Sequence, residues 1–360
     1  MKLKDVFINT NKPPVFIALS GGVDSTAAAY LLKQKGENIF GVTHVIWPDS
    51  KCCSDETIKT CRQVADFLDI PYVTIDCQDL FKRYVVDEFA NAYRNGLTPN
   101  PCILCNEHIR FKLMIKTFFE QYPEYIREDY KIASGHYANT EINGGFVYLK
   151  KGVDPEKDQS YMLYRLNQDQ LIRCIFPLGT YTKNQVREIA VSNNLPSAHH
   201  KESQDICFVD HHYVSFLKSY AHIKPEKGRF VSVQGKEMGW HNGYIYYTRG
   251  QRRGLNLADG PWYVIQTRPE TNTVIIGRES DLFVKTFKAD NVVWIVPPEN
   301  KEIRCRVQTR YHTVEHACTV NFTSETHVEV ELDLPSKEAT PGQSAVFYQN
   351  DCVLGGGFIV

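Results

Sequence analysis

The sequence predicts an α/β protein with a parallel-sheet N-terminal domain, a small and mostly β central domain, and a C-terminal β-barrel. In the N-terminal part, apolar runs typical of buried strands alternate with segments of helical periodicity, which is typical of a parallel sheet flanked by helices. After about residue 217, short β-branched and aromatic runs are separated by glycine-rich turns. For 360 residues we expect domains at 1–217, 218–286 and 287–360, because single domains usually have about 100–200 residues.

The predicted elements follow from local patterns. Apolar runs predict strands at 15–19, 38–47, 71–75 and 131–136. Helical spacing predicts helices at 54–68 and 106–120, and Thr182 with Gln185 forms a capping box for a helix that ends near Asn194. In the C-terminal part we expect strands around 244–247, 273–276 and 328–332, a loop at 297–298, and barrel strands with tight turns from 343 to 357.

Composition excludes several classes of protein. Hydrophobic residues make up 42% and charged residues 23% of the chain, which is ordinary for a globular protein. No apolar stretch is long enough for a membrane span or a signal peptide, so we expect a cytoplasmic protein with no membrane partner. A net charge of −1 means that any RNA site must be a local basic patch. The eleven cysteines then predict thiols or metal ligands rather than a disulfide framework.

The loop Ser20–Ser25 predicts a pyrophosphate site. It follows an apolar strand and precedes a helix, and its two glycines let backbone N–H groups converge on an anion at the helix N-terminus. No lysine follows the glycines, and the spacing differs from the dinucleotide fingerprint, so the two common phosphate loops are excluded. The alternative is an ordinary strand-to-helix turn capped by Asp24 and Ser25.

Two cysteines are candidates for chemistry. Cys105 follows a double-proline loop, and we expect it at a helix N-terminus, where the helix dipole lowers a thiol pKa. Cys207 follows polar residues that would keep it accessible. The alternatives are small buried hydrophobic residues or a zinc site, for which Cys102 and Cys105 provide only two of the four ligands required.

Seven motifs in a fixed order extend over nearly the whole chain. They are Ala18-Leu19-Ser20-Gly21-Gly22-Val23-Asp24-Ser25, Thr98-Pro99-Asn100-Pro101 with Cys105-Asn106, Ser134-Gly135-His136-Tyr137, Lys157-Asp158-Gln159-Ser160-Tyr161, Cys207-Phe208, Arg310-Tyr311-His312 and Pro341-Gly342-Gln343-Ser344. With these motifs in this order, the chain resembles the tRNA-specific 2-thiouridylase family. That family belongs to the PP-loop ATP pyrophosphatase superfamily, so the resemblance implies an adenine nucleotide α-hydrolase-like fold for the N-terminal domain.

The resemblance implies 2-thiolation of the wobble uridine of tRNA, with ATP and magnesium. Uridine O2 would be adenylated at the PP-loop, Cys207 would carry sulfur as a persulfide, and Cys105 would be the nucleophile that releases it or forms a transient disulfide with Cys207. The implied partners are tRNA and a sulfur-donor protein, either a cysteine desulfurase or a persulfide relay. The sequence leaves the oligomeric state open.

The resemblance also assigns binding residues. For ATP they are Ala18, Leu19, Ser20, Gly21, Gly22, Val23, Asp24, Ser25, His44 and Gly135. For the flipped-out target base they are Asn100, Pro101 and Cys102. For tRNA they are His136, Lys157, Asp158, Gln159, Arg310, Tyr311 and Gln343.

Cys102 departs from the family pattern, in which many members have Asp. A thiol cannot act as an ordinary carboxylate, so either Cys102 handles protons as a thiolate, or the acid/base role is dispensable, or the site holds something else. Cys102, Cys105 and Cys207 together suit an iron-sulfur cluster with one open iron, although protein-held clusters usually have four cysteines.

Outside the motifs, residues 246–255 interleave tyrosines and arginines around glycines. This mixture is typical of RNA contacts, but it also suits a hairpin with a basic solvent face. Two other functions remain open: a PP-loop ligase acting on a different tRNA base or a carboxylate, and a tRNA-binding or redox-regulatory protein that only senses nucleotide.

Overall fold

The computed structural model describes residues 12–47, 53–200, 206–209 and 213–360. The chain divides into two compact units. Unit 1 comprises Met1–Val85, Cys102–Phe208 and Asn350–Leu354, and unit 2 comprises Val86–Pro101, Val209–Gln349 and Gly355–Val360. The segment 86–101 therefore packs with the C-terminal part of the chain, a feature that the sequence pattern did not predict.

Unit 1 is built on a parallel sheet. Its strands are β1 (Pro14–Ala18), β2 (Asn38–Val45), β3 (Tyr72–Asp76), β4 (Lys131–Ala133), β5 (Ala138–Asn143), β6 (Phe146–Lys151) and β7 (Cys174–Ile175). Five of them form the sheet in the order β3-β2-β1-β4-β7, with parallel pairing throughout. Strands β5 and β6 form an antiparallel hairpin. All five residues of β1 are buried, as expected for the central strand of a sheet that is covered on both faces.

The helices are α1 (Val23–Gln34), α2 (Asp55–Phe67), α3 (Gln78–Phe81), α4 (Asp87–Arg94), α5 (Pro101–Leu104), α6 (Met114–Gln121), α7 (Gln168–Leu171), α8 (Lys183–Ser192) and α9 (Tyr213–Tyr220). Most of the helices belong to unit 1, whereas α4 and α9 belong to unit 2. Wide π-helical turns occupy Lys82–Val86 and Cys105–Leu113.

Two predicted helix starts are confirmed by their hydrogen bonds. The side chain of Ser54 accepts from the N–H of Thr57 at the start of α2. Thr182 and Gln185 form a reciprocal capping box at the start of α8. In each case a local side chain satisfies backbone donors that have no partner within the helix.

The helix predicted at 106–120 begins earlier, at Pro101, because proline suits the first helical position. It then widens into the π-helical segment Cys105–Leu113. The side-chain amide of Gln170 donates to the carbonyls of Glu107 (2.8 Å) and Phe111 (3.4 Å) within this segment. These bonds explain the wider turns, since an inserted side chain competes with the i→i−4 ladder.

Unit 2 contains two β structures. Its strands are β8 (Gly228–Ser232), β9 (Glu237–His241), β10 (Tyr263–Arg268), β11 (Thr273–Gly277), β12 (Val284–Trp294), β13 (Glu302–Gln308), β14 (His316–Phe322), β15 (Val328–Ser336), β16 (Ser344–Gln349) and β17 (Cys352–Ile359). The first four form a sheet in the order β10-β11-β8-β9. The others follow the order β12-β15-β14-β13-β16-β17, and pairing of β12 with β17 closes the barrel. The predicted strand around 244–247 is wrong, because Tyr244–Tyr246 forms a 3₁₀ turn.

Across the part of the chain that the structure describes, no helix combines the length and the apolar character needed to cross a membrane.

Candidate nucleotide and thiol site

The loop between β1 and α1 leaves a helix N-terminus open. Gly21 has φ +72°, a left-handed conformation that glycine adopts without strain. Ser25 Oγ accepts from the N–H of Ser20 (3.2 Å) and donates to the carbonyl of Gly22 (3.1 Å), and His200 Nδ1 lies 3.1 Å from the carbonyl oxygen of Gly21. Gly22 is the N-cap residue and gives no side-chain cap. The first N–H groups of α1 have no acceptor within the helix and are oriented for an anion.

Asp24, in the first turn of α1, is held by two groups from distant parts of the chain. The Lys183 ammonium lies 2.8 Å from each carboxylate oxygen, and the Tyr137 hydroxyl donates to Oδ1 at 2.7 Å. Lys183 is almost fully buried, whereas the side chain of Asp24 is 31% exposed. The carboxylate is therefore fixed in position while one side of it stays open to the cleft.

The cleft lies at the carboxyl ends of β1 and β4, where the strand order of the sheet reverses. Ligands of open α/β sheets bind at such switch points. Gly135 follows β4 and lies against α1, since a Cβ there would be 2.8 Å from both the carbonyl carbon of Asp24 and the nitrogen of Ser25. Only glycine allows the two backbones to approach this closely.

Three basic side chains line the same cleft as Ser20 and Ser25. Burial, and then the Arg110 guanidinium, lower the pKa of His44 to about 3 and hold the pKa of His136 well below its ordinary value, so both imidazoles are neutral. Arg110 Nη1 lies 3.3 Å from His136 Nε2, and His136 Nδ1 lies 2.8 Å from Ser134 Oγ. Because the guanidinium can only donate, Nε2 accepts and Nδ1 carries the hydrogen.

Two buried polar atoms of this group have no hydrogen-bond partner, namely His44 Nδ1 and Arg110 Nε. Buried polar groups are nearly always paired in native proteins, so these atoms indicate a ligand in the cleft. Their position beside an open helix N-terminus suits a nucleotide. For magnesium, Asp24 is the carboxylate that lines the cleft in the part of the chain that the structure describes, and one carboxylate is enough, because Mg²⁺ usually takes its other ligands from phosphates and water.

The two candidate thiols lie in unit 1 in different settings. Cys105 is half-buried at the start of the π-helical segment, while Cys102 is exposed in the first turn of α5. Because the helix α5 begins at Pro101 and runs directly into this segment, the expectation that Cys105 lies at a helix N-terminus is wrong. Cys207 is half-buried in a turn, and the neighbouring Phe208 is buried against the rings of Phe81 and Trp47, with centroids 5.5 and 6.3 Å away.

The cysteines that the structure describes form no disulfide. In those same parts of the chain, no three His, Cys, Asp or Glu side chains converge as metal ligands. Cys102, Cys105 and Cys207 therefore do not form a cluster site in this conformation.

The tRNA residues expected in unit 1 have structural contacts. The carboxylate of Asp158 accepts from the N–H groups of Gly152 and Ser160 and from the Ser160 hydroxyl, at 2.8 to 3.2 Å. Gln159 Oε1 accepts from the N–H of Tyr137, and Gln159 lines the nucleotide cleft, as does His136. Lys157 is half-buried. Both carboxylate oxygens of Asp158 are thus engaged within the protein.

In unit 2, two of the sequence motifs bind each other. Gln343 Nε2 donates to the carbonyl of Thr98 at 2.6 Å, and the N–H of Thr98 donates to the carbonyl of Pro341 at 3.0 Å. Gly342, at φ +90°, leaves room for this contact, because a Cβ there would be 2.6 Å from Thr98 N. Gln343, which we expected to contact tRNA, thus holds the backbone just before Asn100.

The remaining predicted RNA contacts of unit 2 differ in exposure. Arg310 is exposed, and the half-buried Tyr311 lies against the His312 ring, with centroids 3.9 Å apart. In the segment 246–255, the half-buried Arg249 is engaged within the protein, because its guanidinium donates to the carbonyls of Ala339, Ile265 and Leu282. The predicted basic patch is corrected to the exposed Arg252 and Arg253.

Sequence reasoning missed three residues of the nucleotide site: Arg110, Tyr137 and Lys183. For Lys183 a signal existed, since a lysine next to the cap of a helix opposes the helix dipole and so needs another partner. Arg110 stands in a predicted amphipathic helix, where a charged residue is ordinarily on the solvent face. Tyr137 was noted only as part of a motif. Nothing local indicated these two contacts.

Three family models match the chain in order. They are a tRNA methyl transferase HUP domain over residues 13–211, a tRNA methyl transferase PRC-barrel domain over 214–278, and an aminomethyltransferase β-barrel domain over 284–359. These matches confirm the predicted order of an α/β domain, a small central domain and a C-terminal barrel.

Curated relatives match over almost their whole length. The tRNA-specific 2-thiouridylase MnmA of Carboxydothermus hydrogenoformans is 43% identical, over 96% of this chain and 97% of its own. The protein of the same name from Lachnoclostridium phytofermentans is 41% identical, over 96% and 99%.

Solved structures show more distant similarity. NMN synthetase from Francisella tularensis matches 56% of this chain and 71% of its own, at 16% identity and a TM-score of 0.33. The U34-tRNA thiolase NcsA from Methanococcus maripaludis, with its [4Fe-4S] cluster, matches 60% and 65%, at 19% identity and a TM-score of 0.34.

Proposed function

Because this chain belongs to the tRNA-specific 2-thiouridylase family, we propose that it replaces O2 of the wobble uridine of tRNA with sulfur at the expense of ATP. The observation that carries the proposal is the open N-terminus of α1, with the unpaired atoms His44 Nδ1 and Arg110 Nε in the same cleft. This cleft suits a nucleotide phosphate. Cys105 and Cys207 belong to the same unit and supply the thiols that sulfur transfer requires.

Activation makes the uridine oxygen a leaving group. Uridine O2 forms a bond to the α-phosphorus of ATP, and pyrophosphate leaves with the electron pair of the bond that breaks, while the uracil N3 proton passes to water. The N–H groups of α1 and the loop Ser20–Ser25 bind the phosphates. Asp24 would hold magnesium beside the phosphates, where the ion would supply charge neutralisation.

The fixed groups around the loop orient ATP. Lys183 and Tyr137 hold the Asp24 carboxylate in one position. The absence of a side chain at Gly135 keeps the end of β4 against α1. The neutral His44 has an unpaired Nδ1 that suits a hydrogen bond to the nucleoside part of ATP. Such preorganisation lowers the barrier because little reorganisation is needed during the reaction.

Sulfur delivery follows at C2. The terminal sulfur of a Cys207 persulfide attacks C2, and AMP leaves with the electron pair of the C2–O2 bond. The Cys105 thiolate then attacks Cys207 Sγ, which forms a Cys105–Cys207 disulfide and releases the 2-thiouridine sulfur with the electron pair of the S–S bond. A cellular thiol reductant restores both cysteines. The half-exposed settings of both thiols support this sequence, which requires access for a sulfur-donor protein.

The target base and the tRNA would use other residues. We assign Asn100, Pro101 and Cys102 to the flipped-out base, since a stacked base must leave its neighbours before C2 can be reached. Lys157, Arg310 and Tyr311 are the tRNA contacts that the structure leaves accessible. The sulfur donor is a cysteine desulfurase or a persulfide relay, and the reaction takes place in the cytoplasm, where thiols stay reduced.

The test is mass analysis of tRNA nucleosides after incubation with ATP, magnesium and a persulfide source. We expect 2-thiouridine from the wild type and none from Cys105→Ala or Cys207→Ala. Cys352→Ala is the matched control, because this half-buried thiol lies on a barrel strand. The proposal is wrong if the wild type makes no 2-thiouridine in air or under anaerobic conditions, or if both cysteine variants remain active.

A further inference from the structure

Arg110 is a partly buried cation without a counter-ion. It lies in the π-helical segment and lines the nucleotide cleft. Its Nη1 is within 3.3 Å of the neutral His136, and its buried Nε has no hydrogen-bond partner. Within the described ranges no carboxylate lies within 4.0 Å of the guanidinium. By contrast, Arg165 in the same unit has the carboxylate of Glu107 at 2.5 Å.

The charges of the cleft are unequally balanced. The negative charge of Asp24 is matched by Lys183. The imidazoles of His44 and His136 are uncharged, and among the described residues that line the cleft Arg110 is the one Lys or Arg. A desolvated cation is costly unless an anion pairs with it. The cleft therefore needs one negative group at Arg110, and the open N-terminus of α1 favours a negative group at the same place.

We propose that Arg110 binds the α-phosphate of ATP and stays on that phosphate while AMP is transferred to uridine O2. This inference rests on the proposed function, because it assigns a catalytic residue for its first step. A guanidinium suits the task, since its planar donors can bind two oxygens of one phosphate. As the O2–Pα bond forms and pyrophosphate leaves, Arg110 stabilises the charge on the non-bridging oxygens.

The first experiment compares AMP with adenosine, which differ only by the phosphate. We would measure their dissociation constants by calorimetry for the wild type, Arg110→Met and Arg110→Lys. Arg110→Met is expected to weaken AMP binding at least tenfold and to leave adenosine binding unchanged, with Arg110→Lys between. The control is Arg83→Met, which removes an exposed arginine of the same unit. Unchanged AMP binding, or an equal loss for AMP and adenosine, would overturn the inference.

Two further measurements separate the alternatives. Binding of tRNA without nucleotide is expected to be the same for Arg110→Met and wild type; a loss there, with AMP binding intact, would assign Arg110 to an RNA phosphate and refute the proposal. If Arg110→Met fails to fold, the folded Arg110→Lys must still bind AMP more weakly than wild type. If the wild type makes no 2-thiouridine but binds AMP through Arg110, the proposed function fails and the phosphate contact stands. If the wild type and Arg110→Met thiolate equally fast, the proposed function stands and the role of Arg110 in AMP transfer is refuted.

Discussion

The pair of Lys183 and Asp24 gives a quantitative prediction. The ammonium lies 2.8 Å from both carboxylate oxygens, with side chains 7% and 31% exposed. Exposed ion pairs contribute about 0–1 kcal/mol, and removing one partner of a fully buried pair costs about 3–5 kcal/mol. Because Asp24 is partly exposed, we expect a coupling energy between these ranges, about 1–3 kcal/mol.

The assay is a double-mutant cycle on the free energy of unfolding in urea. Its members are wild type, Lys183→Met, Asp24→Asn and the double variant, because only a cycle isolates the pairwise contribution. The exposed pair Lys337 and Glu279 (48% and 51% exposed) provides a control cycle, for which we expect less than about 1 kcal/mol. If the coupling of Lys183 with Asp24 is no larger than that of the control, burial does not strengthen this pair and the reasoning fails.

Three other predictions concern the same unit. Gly135→Ala would push a Cβ to 2.8 Å from the nitrogen of Ser25, so we expect at least tenfold weaker ATP binding by calorimetry, and unchanged affinity would refute the close-approach argument. Because the pKa of His44 is lowered from 6.5 to about 3, the unfolded chain takes up a proton that the folded chain excludes. The contribution of neutral His44 to the free energy of unfolding is thus complete above about pH 6.5 and is lost as the pH falls toward 3. In His44→Gln, the plot of unfolding free energy against pH should be less steep in this window, by up to about 1.4 kcal/mol per pH unit. Mass mapping of alkylated protein at pH 8 should show fast labelling of exposed or half-buried thiols and slow labelling of thiols whose pKa is raised by burial; equal rates would contradict this order. The fast group is Cys102, Cys105 and Cys207, and the slow group is Cys61, Cys77 and Cys174.

The elements that sequence predicted well are specified by neighbouring residues. The caps at Ser54 and Thr182 and the loop at Ser20–Ser25 each depend on contacts over a few positions, so their patterns are visible in the sequence. The π-helical segment depends on Gln170, about sixty positions away from the carbonyls that it contacts. The short run at 244–247 has strand composition but no strand partner and forms a turn.

In the site, too, the features that depend on neighbouring residues were predictable and those that depend on distant residues were not. The phosphate loop and the two cysteines follow from motifs, whereas the partners of Asp24 lie 113 and 159 positions away in sequence. Arg110 has the spacing of a surface residue, and only the folded chain shows that it lines the same cleft as Ser20 and Gly135. Gln343 matched a family position for tRNA, and only the folded chain shows that its amide is engaged by Thr98.

The bond between Gln343 and Thr98 has a consequence for the order of events during biosynthesis. The two residues are 245 positions apart, and a ribosome adds about 5–20 residues per second. The backbone that leads into Asn100 and Pro101 must therefore wait about 12–50 s for its partner after it is made. A chain that terminates early would retain the nucleotide loop and both thiols but never complete the segment assigned to the target base. Thiolation would then be restricted to chains whose synthesis has passed Gln343.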